Sequence, residues 1–168
     1  SRILYLLIAD VSNSINPPFV FHFYVMHSDG SNQTQITKGG SSIFPAWSPD
    51  GSKIAYVSDT NEDGYYEQLR TIDVDGTNLN KLTNNSVQDV VSWAPDGSKI
   101  LHTCNMGVEP EFDLQICTIA IGGSEVKQLT DVGRNGTASY SPDGSKILFQ
   151  SFRDTHAQEN VGQIYIMN

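Results

Sequence analysis

One block of fourteen residues occurs three times in this chain of 168 residues. Pro45-Ala-Trp-Ser-Pro-Asp-Gly-Ser-Lys-Ile-Ala-Tyr-Val-Ser58 returns as Val91-Ser-Trp-Ala-Pro-Asp-Gly-Ser-Lys-Ile-Leu-His-Thr-Cys104 and as Ala138-Ser-Tyr-Ser-Pro-Asp-Gly-Ser-Lys-Ile-Leu-Phe-Gln-Ser151. Its aspartates, Asp50, Asp96 and Asp143, are 46 and 47 residues apart. A second marker keeps step with them: Gln35-Ile-Thr37, Lys81-Leu-Thr83 and Gln128-Leu-Thr130. Two markers with one period define an array of repeats, in which each unit must bury its apolar faces against its neighbours.

Within a period the apolar and β-branched runs are short and are punctuated by Gly, Pro and Asp, which predicts four strands, A to D. In the second repeat these are residues 43–48, 53–58, 67–73 and 79–83. Ser-Pro-Asp-Gly-Ser joins A to B as a hairpin turn: Pro presets φ, Asp bonds the following backbone and Gly accepts positive φ. Asp75-Gly76 plays the same part between C and D, echoed by Asp29-Gly30 and Gly122-Gly123. Charged residues are only 17% of the chain, beside 14 Gly and 7 Pro, a balance that excludes long charged helices. A four-stranded antiparallel sheet of this size buries both faces when such sheets are arranged radially, so the expected fold is an all-β propeller of four-stranded blades. Trp47, Trp93 and Tyr140 on strand A, with Ile54, Ile100 and Ile147 on strand B, read as packing between blades.

These residues carry a resemblance. Residues 45–59, followed by Ile72-Asp-Val-Asp-Gly76 and a Leu-Thr ending, resemble the TolB-type WD-like β-propeller repeat. Related blades form the propeller domains of prolyl oligopeptidase-type and tricorn-type peptidases. The resemblance covers essentially the whole chain and implies the fold more than an activity, because propellers host many unrelated functions. Blades are expected over residues 1–37 (without strand A), 38–83, 84–130 and 131–168 (without strand D). A six-bladed ring of this period would need about 276 residues. A segment of a larger propeller, a small ring and a subunit completed by edge pairing with another copy all remain open.

Asp59-Thr-Asn61-Glu-Asp63-Gly64-Tyr-Tyr-Glu67 places oxygen donors at positions 1, 3, 5 and 9, with Gly at position 6 for the sharp turn. Such a hard-ligand set suits Ca²⁺ and resembles the hairpins of integrin-type propellers, with Asp59, Asn61, Asp63 and Glu67 as candidate ligands. Arg70 at the twelfth position excludes an EF-hand. A polar hairpin without metal is the alternative. Cys104 and Cys117 fall on strands B and C of one blade, where a cross-strand disulfide and two buried thiols are both open. Asn32, Asn84 and Asn135 begin Asn-x-Ser/Thr sequons near expected turns and are candidate N-glycosylation sites.

His22, His27, His102 and His156 lack metal-ligand spacing, and no Gly-x-Ser-x-Gly elbow, dinucleotide fingerprint or phosphate loop occurs. Catalytic residues are therefore not expected. Ten Lys and Arg against 19 Asp and Glu give a net charge of -9, which repels nucleic acid, and no apolar run is long enough to span a bilayer. The expectation is an extracytoplasmic, periplasmic or secreted, protein-interaction scaffold of TolB-like type. The alternatives are a filament or oligomer subunit joined through open blade edges to further copies of itself, and a gating propeller of a larger serine peptidase.

Overall fold

The computed structural model describes residues 1–10, 19–59, 67–84, 87, 91–107, 113–154 and 161–168. Those residues form strands and turns, in four antiparallel sheets that follow one another along the chain. The first sheet holds β1 (Arg2–Asp10), β2 (Phe19–His27) and β3 (Thr34–Gln35). The second holds β4 (Ser42–Trp47), β5 (Lys53–Asp59), β6 (Glu67–Asp73) and β7 (Asn80–Lys81). In the third, β8 (Ser92–Trp93), β9 (Lys99–Asn105), β10 (Leu114–Ala120) and β11 (Lys127–Gln128) repeat that order, and β12 (Asn135–Tyr140), β13 (Ile147–Ser151) and β14 (Gln163–Met167) make the fourth.

Strand alternation explains how one blade serves two cores. On β5, Ile54 and Tyr56 pack with Phe23, Val25 and Ile36 of the first blade, whereas Ala55 and Val57 pack with Val91, Trp93, Ile100 and Ile119 of the third. Leu101 and Ile116 then face Ala138, Ile147 and Phe149 of the fourth. Both faces of a middle blade are thus covered, and β5, β9 and β10 are buried along nearly their whole length rather than at alternate residues. Ile54 and Ile100 are fully buried and Ile147 is 8% exposed, so each withdraws a side chain worth about 1.5–3 kcal/mol from water. Trp93 adds a polar tie, its Nε1 donating to the Ala46 carbonyl of the preceding blade at 3.1 Å.

The repeated turn is a hydrogen-bonded knot. Ser48 Oγ donates to Asp50 Oδ1 at 2.6 Å and accepts from Lys53 N at 2.9 Å, while Ser52 N donates to Asp50 Oδ1 at 3.0 Å. Ser141, Asp143, Ser145 and Lys146 reproduce it in the fourth blade. Gly51, Gly97 and Gly144 all take positive φ here, and a Cβ on Gly144 would meet Pro95 Cδ of the preceding turn at 3.3 Å. Glycine is required at that turn both by φ and by the seating of one turn on the next.

The outer strands are shorter than the sequence pattern predicts, two residues each in β3, β7 and β11. The repeated Thr supplies the reason. Thr37, Thr83 and Thr130 present Oγ1 to the backbone N of Phe23, Leu69 and Ile116 at 2.9, 3.0 and 2.9 Å, so a side chain replaces the next ladder carbonyl and ends the pairing.

Candidate functional site

The repeated residues are absorbed by folding: the Asp and Ser of the turns bond each other, and the Thr of the outer strand caps its neighbour. Chemistry specific to this chain therefore lies where equivalent positions differ. The clearest such position is a cross-strand pair in the middle of strands B and C: Tyr5 opposite Tyr24, Tyr56 opposite Arg70, His102 opposite Cys117, and Phe149 opposite Tyr165. In the end blades the pair is aromatic, with ring centroids 5.6 Å apart for Tyr5 and Tyr24 and 5.8 Å for Phe149 and Tyr165. In the two middle blades it is not, and Tyr56 with Arg70 in one and His102 in the other line a pocket at the seam with the preceding blade.

The seam of the first and second blades encloses about 430 Å³ among Thr37, Lys38, Gly39, Tyr56, Arg70 and Leu79. The seam of the second and third is smaller, about 280 Å³, lined by Leu82, Val87, His102, Cys104, Met106 and Val126. His102 is 2% exposed and its Nδ1 lies 3.3 Å from the Thr103 carbonyl, a geometry in which that nitrogen carries the proton. Its Nε2 is buried with no hydrogen-bond partner among the described residues, and burial holds its pKa below the usual imidazole value. The ring is thus a neutral acceptor at ordinary pH.

Cys104 and Cys117 are joined as a disulfide in this structure, with Cα atoms 5.9 Å apart. The register places Cys104 opposite Gln115 and Cys117 opposite His102, so the bridge runs diagonally across the strand pair. Asn32 and Asn84 lie on exposed turns. Asn135 corrects the expectation of a glycan there. It is 1% exposed, and its Nδ2, the atom that would carry a sugar, donates to Gln115 Oε1 at 2.8 Å and to the Gly133 carbonyl at 2.9 Å. Gln115 Oε1 also accepts from Thr130 Oγ1 at 2.7 Å, and Arg153 Nη2 donates to Asn135 Oδ1 at 3.3 Å. Asn135 is the hub of a buried network joining the third and fourth blades.

Of the candidate Ca²⁺ ligands, Asn61 and Asp63 lie outside the described residues, as does the Glu67 side chain. Asp59, 8% exposed at the end of β5, faces Glu67 in the strand register. His156 also lies outside the described residues. His27, Ser31 and Asp29 come together on an exposed turn, but Ser31 Oγ donates to Asp29 at 2.7 Å and lies 3.5 Å from His27 Nδ1. The carboxylate is spent on the hydroxyl rather than orienting the imidazole, the reverse of a nucleophile relay. Thr77 Oγ1 donates to Asp75 in the next blade in the same way, which marks the cluster as a turn.

In the sequence Arg70 reads as the residue that excludes an EF-hand. Its signal was available: it breaks the repeat at a position held by Tyr24 and Tyr165 in the end blades. Gln115 and Asn135 had no such signal, because a polar network at a strand end has no sequence period.

Comparison with known proteins agrees with the geometry. The domain family described as TolB beta propeller domain matches residues 1–168. A curated relative, the Tol-Pal system protein TolB of Blochmanniella pennsylvanica, is 42% identical over 52 residues, covering 30% of this chain and 12% of that protein. TolB from Acinetobacter baumannii superposes with a TM-score of 0.75 at 24% identity, over 98% of this chain and 38% of the other. Pyrococcus horikoshii acylaminoacyl peptidase superposes at 0.72 with 14% identity, over 99% of this chain and 29% of that one, a likeness of fold alone. The chain spans well under two thirds of the length of each of these relatives. On the family match over its whole length, the chain belongs to the TolB β-propeller domain family.

Proposed function

We propose that this chain is a protein-interaction scaffold working outside the cytoplasm, and that its partners are other proteins. The observation that carries the reading is where its polar chemistry goes. Every motif repeated along the chain is consumed by turns and strand caps, while the surface left over is loops, strand ends and seams between rigid blades. Recognition fits such a surface, since rigid elements hold variable side chains in place. Membership of a family whose curated relative is named as part of the Tol-Pal system supports an extracytoplasmic setting. No helix among the described residues is long and apolar enough to cross a membrane.

The test is affinity capture with chemical cross-linking from the extracytoplasmic fraction, followed by reconstitution with each captured protein after purification. Saturable binding, with cross-links on blade-end loops or β4, is the expected result. Failure of every purified candidate to bind saturably removes the reading. The acidic hairpin from Asp59 to Glu67 is proposed to bind Ca²⁺: a chelator should lower Tm, and Asp63→Ala should abolish that response.

A second reading has its own observation. The outer edge of β14 has no strand beside it among the described residues, and Ile164 and Ile166 on it are 66% and 65% exposed. An open edge is a template for another strand, and the exposed sheet face of Ile164 and Ile166 is a surface for another sheet, so assembly of copies into oligomers or filaments is the alternative. Sedimentation velocity decides it, because a sedimentation coefficient that stays at the monomer value as concentration rises rules assembly out. Service as the gate of a larger peptidase rests on likeness of fold, and a Gly-x-Ser-x-Gly elbow elsewhere in the full reading frame is its test.

A further inference from the structure

Arg70 occupies the seam pocket of the first two blades in an unusual state for an arginine. Among the described residues its Nε is buried without a hydrogen-bond partner, and the guanidinium's hydrogen bond to a side chain is from Nη2 to the neutral Gln68 Oε1 at 3.3 Å. The chain carries 19 carboxylates for 10 cationic side chains, yet among the described residues the ion pair formed is Lys53 with Asp73, and Arg70 has none. Asp75 also lines the pocket, but its Oδ1 accepts from Thr77 N at 2.9 Å and from Thr77 Oγ1. Arg153, the guanidinium of the last seam, is different. It stacks on Phe149 and Tyr165 at 5.2 and 4.8 Å and donates to Ser151 and Asn135.

The site is not a requirement of the fold. The positions equivalent to Arg70 hold Tyr24, Cys117 and Tyr165, and each blade pairs its strands there equally well. An arginine with an unmet buried donor, a second cation (Lys38) and an open volume of about 430 Å³ constitute a half-made ion pair. A guanidinium is matched in shape and charge by a carboxylate, which it binds through two parallel N–H donors.

We propose that the seam pocket between the first and second blades binds a carboxylate, with Arg70 as its ion-pair partner, Lys38 as a second cation and Tyr56 and Leu79 as the apolar wall. The carboxylate belongs to a small organic acid or to the free C-terminus or acidic side chain of a peptide.

The probe is sodium benzoate added to ¹⁵N-labelled protein at low salt, with benzamide as a neutral control of the same shape. Benzoate should shift the amide signals of Lys38, Gly39, Tyr56 and Arg70 saturably, with a dissociation constant on the order of 1 mM for so small a ligand, and benzamide should not. Arg70→Gln should weaken the response at least about tenfold, and Lys38→Gln, on the exposed rim, about two- to threefold. Dispersed amide signals establish that the Arg70 variant is folded; if it is not, the Lys38 variant and benzamide decide. Equal responses to benzoate and benzamide, no saturable shift, or a folded Arg70→Gln protein that binds like the wild type would each overturn the proposal. A short peptide with a free C-terminal carboxylate, compared with its C-terminal amide, separates the sources: a tighter peptide acid supports a peptide ligand, and one no tighter than benzoate supports a small acid. The result is independent of whether a protein partner is captured.

Discussion

Ala94→Ser should convert the third turn into a copy of the other two, and the size of the change follows from the chain's own repeats. In the second and fourth blades Ser48 and Ser141 donate to Asp50 and Asp143, and both carboxyls are drawn from the ordinary value to about 2, the serine hydroxyl being the largest cause. In the third blade the equivalent residue is Ala94, and Asp96 is lowered by Ser98 N and Oγ without that help. A hydroxyl at residue 94 supplies the missing donor to Asp96 and an acceptor for Lys99 N, the role Ser48 Oγ plays for Lys53 N at 2.9 Å. The hydrogen bond to Lys99 N is worth about 0.5–1.5 kcal/mol, or roughly 1–6 °C in Tm for a domain of this size. The carboxylate part has a pH signature. A carboxyl whose folded pKa is depressed stabilises the fold above its unfolded value, near 4, and loses that contribution as pH falls through the folded value of about 2. Carboxyl ¹³C titration of Asp96 should therefore move to about 2, as for Asp50, and the gain in Tm at pH 7 should shrink near pH 2. An unchanged Asp96 titration in a folded variant would refute the claim that the turn serine sets the carboxylate's affinity for protons.

Three further outcomes are expected. Asn135→Ala should cost about 1–3 kcal/mol in urea unfolding, because Gln115 Oε1 and the Gly133 carbonyl each lose one of two donors and Arg153 Nη2 loses an acceptor. Glu125→Asn should raise Tm, by about 0.5–1 kcal/mol of stability, since Glu125 holds φ 56 at the turn position filled by Asn32 and Asn78 in other blades, and asparagine tolerates that conformation better. Stability should fall as pH drops below about 6.5, because the unfolded chain then protonates the imidazole that the fold keeps neutral; His102→Phe, copying Phe149, should flatten that dependence, leaving the share of His22, whose pKa is also lowered by burial.

The parts of this fold that could be read beforehand are those governed by local rules repeated in register. Pro-Asp-Gly specifies a turn wherever it occurs, and an apolar run of five to seven residues between two such turns has little choice but to be a strand, so the blades and residues such as Ile54, Ile100 and Trp93 were visible as pattern. The extent of the outer strands was not, because Thr83 ends β7 by offering Oγ1 to a residue fourteen positions away. Asn135 misled for the same reason. A sequon is a local motif, whereas the burial of that amide is decided by Gln115, brought to it by packing of adjacent blades.

Repetition also changes what counts as evidence for a site. In a chain without repeats, a half-buried arginine beside a tyrosine can be explained by its own surroundings, and the structural account is hard to separate from a functional one. Here the same seam is built several times, and at this pair of positions stability is served by two tyrosines, a histidine beside a disulfide, or a phenylalanine and a tyrosine. Packing therefore does not require a charge at residue 70. An arginine kept there bears the cost of a buried donor left unmet, about 1–3 kcal/mol by the usual penalty for such groups. A carboxylate entering the pocket would give the guanidinium the ionic partner that the described residues do not supply. Divergence at one cell of a repeated lattice thus points to a ligand, while Asp50, Asp96 and Asp143, the most visible residues in the sequence, are explained by the turn.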